Sequence, residues 1–153
     1  MTNNGTIIKV SGPLVVAKGL IGTCIYDMVR VGNYKLFGEV VEIRGDEYFI
    51  QVYEETEGLG PGEPVYPTYS AFSVELGPGL IGAIYDGIQR PLDVINRLHG
   101  DYIVRGIEHP PLDRTKKWHF HPLKNVGDEV IPGDVIGYVQ ESKLVRHQIM
   151  VPV

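Results

Sequence analysis

GEVVEIRGDEYFIQVY, residues 38–53, is the stretch that decides the fold of this chain. Two apolar-rich runs flank the short turn Arg-Gly-Asp, which is the pattern of a β-hairpin. In the second run Tyr48, Ile50 and Val52 fall on one face and Gln51 on the other, because side chains alternate along a strand with a period of two. The sequence therefore predicts an antiparallel hairpin with one buried face.

Further short strands surround this hairpin, separated by turns rich in glycine and proline. The turns include Ser11-Gly-Pro13 and Gly60-Pro-Gly-Glu63. The additional strand candidates are Thr6–Val10, Leu14–Ala17 and Pro64–Thr68. Short strands at this spacing are typical of a small antiparallel barrel or sandwich. We expect this first domain to span residues 1–73.

The segment 74–111 changes character and is expected to be a connector. It begins near a Leu-Gly-Pro-Gly turn and contains one helix-like pattern near 91–98. A proline suits the start of that helix and a glycine follows its end. Leu92, Ile95 and Leu98 fall on one helical face. The sequence predicts one short helix here and no other in the chain.

Residues 112–153 return to strand character. Gly127-Asp128 and Gly133-Asp134 form two Gly-Asp turns around short apolar runs, and 147–152 is a final strand candidate. This turn pattern is similar to that of biotinyl and lipoyl carrier barrels, which predicts a carrier-like β fold. Lys143 is the nearest counterpart of a carrier's modifiable lysine but lacks the flanking residues that carriers use, so we do not expect carrier function.

The composition is that of a folded, turn-rich protein. Of 153 residues, 43% are hydrophobic and 22% charged, with 19 glycines and 11 prolines. A formal charge of −5 argues against a general nucleic-acid binder, which needs a basic surface. Cys24 is the only cysteine, so an internal disulfide is excluded and a reducing compartment is favoured. Without a run of about 18 apolar residues or a signal-peptide pattern at the start, we expect a cytoplasmic chain with no membrane insertion.

Histidines and carboxylates are the residues that could build a metal or acid–base site. His119 and His121 would share a face of a strand, and His109 and His147 lie elsewhere in the sequence. No third ligand is fixed by spacing, so a histidine metal site is only an alternative hypothesis. The run that starts at Glu54-Glu55 is interpreted as a solvated acidic loop, since adjacent carboxylates on a strand point to opposite faces.

Phosphate-binding and nucleophile motifs are also weak or missing. The sequence contains no Gly-x-x-x-x-Gly-Lys-Ser/Thr loop. Gly77–Gly82 has the spacing Gly-x-Gly-x-x-Gly, but Pro78 lacks an amide hydrogen and no βαβ unit surrounds it, so a structural turn is predicted. The serines lack a Gly-x-Ser-x-Gly setting; they are Ser11, Ser70, Ser73 and Ser142. Arg114, Lys116 and Lys117 form a local basic patch, interpreted as a solvated loop or a contact surface. We therefore predict no catalytic, cofactor-binding or metal-binding residue in this chain.

Eight strings in order resemble the start of one protein family. They are Ser11–Ala17, Tyr26–Gly32, Gly38–Asp46, Gln51–Thr56, Pro61–Val65, Ser73–Leu92, Leu112–Trp118 and His147–Pro152. Together they closely resemble the N-terminal part of the catalytic A subunit of archaeal-type and vacuolar-type rotary ATPases. The resemblance covers essentially the whole chain, and the run Ser73–Leu92 is the most specific part of it.

The resemblance implies a division of roles along the chain. The family begins with a small β-barrel that joins neighbouring subunits into a crown, continues through a connector towards the nucleotide-binding core, and then enters an inserted bulge domain of carrier-like architecture. It implies B subunits in an alternating hexamer and stalk subunits as partners, and ion-coupled ATP synthesis or hydrolysis as the function of the complex. Mg-ATP would bind the full-length protein, at the periphery of the membrane, and not this segment.

The family's catalytic residues have no counterpart in this sequence. The chain ends at Val153 directly after an apolar run, and we expect the Gly-x-x-x-x-Gly-Lys-Thr loop to follow in a longer protein. This chain alone is predicted to be inactive and to serve assembly and scaffolding. We expect the final third to be poorly packed or to pair with a second copy through its unpaired strands. The alternative is a stand-alone regulatory or stalk-binding β module.

Overall fold

The computed structural model describes residues 4–152 and is mainly β, with a single short helix in that range. This confirms the predicted fold class. The elements are β1 (Gly5–Ser11), β2 (Leu14–Lys18), β3 (Asp27–Val31), β4 (Leu36–Arg44), β5 (Glu47–Val52), β6 (Pro64–Ala71), α1 (Leu92–His99), β7 (Phe120–Pro122), β8 (Val135–Gln140) and β9 (Arg146–Met150). Within the described residues, no helix has the length and apolar character needed to cross a membrane.

The chain divides into two compact units. The first unit contains the residues up to Ser73 together with Tyr102–Ile107, and the second contains Val74–Asp101 and the residues from Glu108 onward. The main chain therefore passes between the units three times. The predicted division into 1–73, 74–111 and 112–153 stays a prediction, and the return of Tyr102–Ile107 to the first unit is a feature that it did not include.

The first unit contains a closed antiparallel barrel with the strand order β1-β2-β5-β4-β3-β6. Closure decides between the two predicted architectures in favour of the barrel. The hairpin of β4 and β5 forms where the sequence indicated it, with Arg44 opposite Glu47 across the turn. A register shift between Val40 and Glu42 marks a bulge in β4, a feature that bends and twists a strand.

The barrel interior is packed with aliphatic side chains. The buried core comprises Ile7, Val15, Ala17, Leu20, Val29, Val31, Leu36, Val40, Ile50, Val52 and Val65. The period of two predicted for β5 is confirmed, since Ile50 and Val52 are buried, Tyr48 packs against the core and Gln51 is only half-buried. Each fully buried aliphatic side chain contributes about 1.5–3 kcal/mol relative to exposure, so this core dominates the stability of the barrel.

The predicted helix is confirmed, with one difference in its packing. Pro91 is the N-terminal flanking residue, with extended backbone, and α1 ends at Gly100. Ile95 is buried and Leu92 half-buried, as a shared apolar face predicts. Leu98 was expected on the same face but is 61% exposed, because the last turn of this two-turn helix has no element packed over it among the described residues of the second unit.

The second unit ends in a three-stranded sheet with the order β7-β8-β9. Both predicted Gly-Asp turns form, and Asp128 and Asp134 each accept a hydrogen bond from the backbone N–H three residues earlier. Val139 is the one strongly buried hydrophobic residue of this sheet among those described. Ile136, Ile149 and Val151 are half-buried, as expected for a sheet with little to pack against.

Candidate interaction surfaces

The barrel interior is occupied by the protein's own side chains. Small barrels are generally filled in this way, and here eleven aliphatic residues form the core. Every barrel strand also has a partner on both sides. The sequence left two ways for barrels to meet, through strand edges or through side chains. Closure favours contact through side chains, so the outer surface is the place to look for function.

One apolar surface lies on the outside of β1, β2 and β5. It is a groove of about 280 Å³, here called the outer groove, lined by Ile8, Lys9, Ser11, Leu14, Val16, Glu47 and Phe49. Val16 breaks the alternation of β2, because Val15 and Ala17 face the core while Val16 is buried on the outside. The outer groove is thus an apolar depression with one lysine and one glutamate at its border.

A second apolar surface lies beside β3 and β6. This aromatic patch consists of Ile21, Ile25, Tyr26 and Tyr69, all exposed. Tyr26 and Tyr69 have positive φ values of 74° and 54°, a backbone conformation that costs about 1–2 kcal/mol in residues with a Cβ. Strained backbone at exposed aromatic residues is a recognised sign of a functional surface. In the strand order, β2 and β3 are three strands apart in either direction, so the groove and the patch are on opposite sides.

Glu54 was interpreted as part of a solvated acidic loop, and that interpretation is wrong. The carboxylate is half-buried, and both oxygens accept backbone hydrogen bonds, Oε1 from Phe37 N–H (3.0 Å) and Oε2 from Gly106 N–H (2.8 Å). Glu55 is exposed, as predicted. The partners of Glu54 lie 17 and 52 residues away in the sequence, so no local pattern could have revealed them.

The four candidate histidines fall into three separate settings. His119 and His121 do share a strand face, with ring centroids 4.5 Å apart in a T-shaped arrangement, and His121 also stacks on Tyr138. His109 lies near His99. His147 lies 3.5 Å from a carboxylate oxygen of Glu141. Over the residues that the structure describes, no group of three or more His, Cys, Asp or Glu side chains is arranged to hold a metal ion.

The Gly77–Gly82 segment is a turn, as predicted. It does not open a helix, because α1 begins only at Leu92. Gly79 N–H, which a phosphate would need, donates instead to Oε1 of Glu141 (2.6 Å). Glu141 has a side chain that is only 6% exposed and comes from the turn between β8 and β9. The loop is therefore held by a carboxylate of its own unit.

The most family-specific string, Ser73–Leu92, forms a loop locked by side chains. Asp86 accepts hydrogen bonds from Arg90 N–H (2.8 Å) and Arg90 Nε (2.6 Å), and Arg90 is 8% exposed. Gln89 bonds the backbone of Glu75 in both directions, each at 2.7 Å. These contacts give the string a structural role and leave its polar groups occupied.

The remaining candidates lie on the surface of the second unit. Arg114 donates to Glu75, Lys116 lies over the ring of Trp118, and Lys117 is exposed. Ser142 accepts hydrogen bonds within the β8–β9 turn, which also carries the exposed Lys143. A groove of about 540 Å³ runs between α1 and residues 109–115. Its lining is mainly apolar and includes Ala83, Ile84, Val94, Pro110 and Leu112.

Comparison with known proteins identifies both units. Residues 7–69 match the β-barrel domain of the ATP synthase alpha/beta family, and residues 109–153 match the barrel-sandwich domain of ATP synthase alpha/beta subunits. The two matches together cover more than half of the chain. The chain belongs to the ATP synthase alpha/beta family. Within this family, the closed barrel and the carrier-like sheet are its two N-terminal β domains, as the sequence resemblance implied.

Individual relatives narrow the position within the ATP synthase family. The chain is 60% identical to the V-type ATP synthase alpha chain of Clostridium botulinum (strain Okra) over 148 residues, which is 97% of this chain and 25% of that protein. It is 57% identical, over the same shares, to alpha chain 1 of the V-type ATP synthase of Clostridium tetani and to the corresponding catalytic chain of the A-type ATP synthase of Thermococcus kodakarensis. The chain thus spans about a quarter of the length of these relatives.

Proposed function

We propose that this chain acts as the N-terminal assembly portion of the catalytic subunit of a V/A-type ATP synthase. The observation that carries the proposal is the 60% identity, over 97% of the chain, to the alpha chain of such an enzyme. The complex would couple ATP synthesis or hydrolysis to proton or sodium transport. The segment would work in the cytoplasm, in the soluble sector that lies against the membrane.

The two barrel surfaces support a role in forming a ring. A closed ring of subunits needs two different contact faces on each member, because every contact is head to tail. The outer groove and the aromatic patch are different in shape and lie on opposite sides of the barrel. Each would contact the barrel of a neighbouring B subunit in an alternating hexamer. Stalk subunits would bind elsewhere on the assembly.

Catalysis is assigned to other parts of the longer protein. The sequence has no Gly-x-x-x-x-Gly-Lys-Ser/Thr loop, and phosphoryl transfer needs such backbone amides, a lysine and magnesium around the phosphates. The amide of Gly79 is bound by Glu141 and the carboxylate of Glu54 is bound by two amides. Mg-ATP would therefore bind the full-length protein, and this chain alone would be inactive.

Surface variants test the proposal directly. Phe49→Glu places a charge in the outer groove, and Ile21→Glu places one in the aromatic patch. With a B subunit of the same family, each variant should still form a one-to-one pair through its intact surface but should fail to close a ring. Val41→Glu, an exposed apolar position of β4 on neither surface, is the matched control and should assemble normally.

Native mass spectrometry separates pairs from rings in this experiment. A double variant, Phe49→Glu with Ile21→Glu, should bind no B subunit. Normal ring formation by the double variant would remove the assignment of these surfaces. ATP hydrolysis by the purified chain alone would contradict the assembly role itself, whereas binding of a stalk subunit but no B subunit would favour a stand-alone stalk-binding module.

A further inference from the structure

The segment Tyr102–Ile107 returns to the barrel unit although its neighbours on both sides belong to the second unit. We propose that this segment is a releasable strap and that Glu54 is its clasp. The strap would switch between a docked state, in which the barrel holds the main chain at three places, and a released state, in which residues 74–153 hang from the barrel by a single crossing. This inference goes beyond the assembly role and is tested on the chain alone.

Glu54 joins the strap to the barrel wall. It follows β5, and its two carboxylate oxygens accept one bond from the barrel and one from the strap. The barrel donor is Phe37 N–H in β4, at 3.0 Å, and the strap donor is Gly106 N–H, at 2.8 Å. Hydrogen bonds to a charged group are about twice as strong as neutral ones. A neutral amide at this position has one acceptor oxygen only and cannot serve both donors.

Arg105 and Gly106 complete the docked geometry. Arg105 Nη1 donates to the carbonyl oxygens of Glu57 (2.5 Å) and Glu55 (3.3 Å), and its guanidinium lies over the ring of Tyr34. Gly106 has a φ of 70°, and a Cβ added to it would lie 1.8 Å from the carbonyl oxygen of Tyr34. The strap therefore docks only with a glycine at this position, and the arginine side chain is occupied while it is docked.

The strap is held by polar contacts and not by burial of apolar surface. Tyr102 is 84% exposed, and Ile103 and Val104 are each 50% exposed. Segments with few buried apolar contacts open at a much lower free energy than the core of a domain. Release of the strap would therefore leave the barrel folded. This combination of a few specific hydrogen bonds and little burial makes the contact a reversible latch.

Trypsin cleavage after Arg105 measures release, because a docked guanidinium cannot enter the protease. In the unmodified chain, this bond should be cut more slowly than the bond after the exposed Lys143. Glu54→Gln should accelerate cleavage after Arg105 by about tenfold or more, the effect of losing one charge-assisted hydrogen bond. Glu55→Gln removes the same charge from the neighbouring exposed residue and should leave the rate unchanged. Early products are identified by mass spectrometry.

Gly106→Ala tests the same latch from the strap side without touching Glu54. It should also accelerate cleavage, while hydrogen exchange at the core residues Val15 and Ile50 stays slow in every variant. Loss of core protection in Glu54→Gln would transfer the test to Gly106→Ala, which changes no barrel residue. The proposal is overturned if Gly106→Ala leaves cleavage after Arg105 unchanged, or if Glu55→Gln accelerates it as much as Glu54→Gln.

Discussion

At the scale of single residues, acidic side chains hold the loops of this protein by accepting backbone hydrogen bonds. Glu54 binds two distant amides, Glu141 binds Gly79, and Glu63 accepts from Gly60 N–H (2.8 Å) and from Asn33. A carboxylate accepts in several directions at once, so it can join two segments that carry only donors. Much of the chain's negative charge is therefore structural.

Tyr53 gives a residue-scale prediction about pH. Its hydroxyl donates a hydrogen bond to Glu39, and this bond, with partial burial, raises the pKa of Tyr53 from 10.0 to about 12. The folded state thus keeps the phenol proton to higher pH than the unfolded state does. The resulting stabilisation is present below pH 10 and is lost as the pH rises towards 12.

Ultraviolet titration of phenolate formation checks this prediction. Glu39→Gln should return the late-titrating tyrosine towards its usual pKa, because an amide oxygen is a weaker acceptor and carries no charge. Tyr53→Phe should remove the late step altogether. A late step that survives in Tyr53→Phe would assign the raised pKa to another tyrosine.

The ion pair of Asp86 and Arg90 gives a second residue-scale prediction. Their side chains are 17% and 10% exposed, and removing one member of a buried pair leaves an uncompensated charge. Asp86→Ala should lower the free energy of unfolding of the second unit by about 3 kcal/mol. The single tryptophan, Trp118, lies in that unit and reports its unfolding in urea. Lys124→Ala, which removes an exposed pair with Asp134, should cost about 0.5 kcal/mol.

Sequence reasoning at this scale succeeded where contacts are local and failed where they are not. The shared face of His119 and His121 follows from a spacing of two, and it was predicted. The clasp at Glu54 depends on Phe37 and Gly106, which only the closed barrel brings to the same place. A pattern of neighbouring residues contains no information about such partners.

At the scale of elements, the barrel strands are the part that the sequence predicted best. Alternation in β5 and the turn at Arg44–Asp46 reflect local physics, so the hairpin could be predicted directly. The choice between barrel and sandwich could not, because it depends on β6 meeting β1, and those strands pair through only two residues each. In α1 the helical period was right, but the exposure of Leu98 depends on what packs over the helix end.

Gly38 in β4 gives an element-scale prediction. A Cβ added there would lie 2.7 Å from Ile50 Cγ2 and 3.3 Å from the carbonyl oxygen of Gln51, so the barrel wall has no room for a methyl group. Gly38→Ala should lower the free energy of unfolding of the barrel by about 1–3 kcal/mol, the usual cost of overpacking. Gly60→Ala, where nothing lies within 4 Å, should be nearly neutral. Circular dichroism during urea unfolding compares the two, and equal stability would contradict this account of the wall.

At the scale of the whole molecule, the chain combines a closed unit with an open one. The barrel satisfies its strands internally, whereas β7 and β9 are the outer strands of a three-stranded sheet. Exposed apolar residues accompany this second sheet, including Leu123, Val126, Ile131, Leu144 and Met150. The sequence indicated the carrier-like turns, but not how little of the sheet is buried.

The central claim is that this chain is an assembly portion of a V/A-type ATP synthase catalytic subunit. The most direct measurement replaces the matched quarter of the Clostridium botulinum alpha chain with this chain and records assembly and ATP hydrolysis of the chimeric complex. We predict a complete complex that hydrolyses ATP at a rate comparable to that of the unmodified enzyme, while the chain alone hydrolyses none. A chimera whose barrel is folded but which forms no complex with the B subunit would contradict the claim.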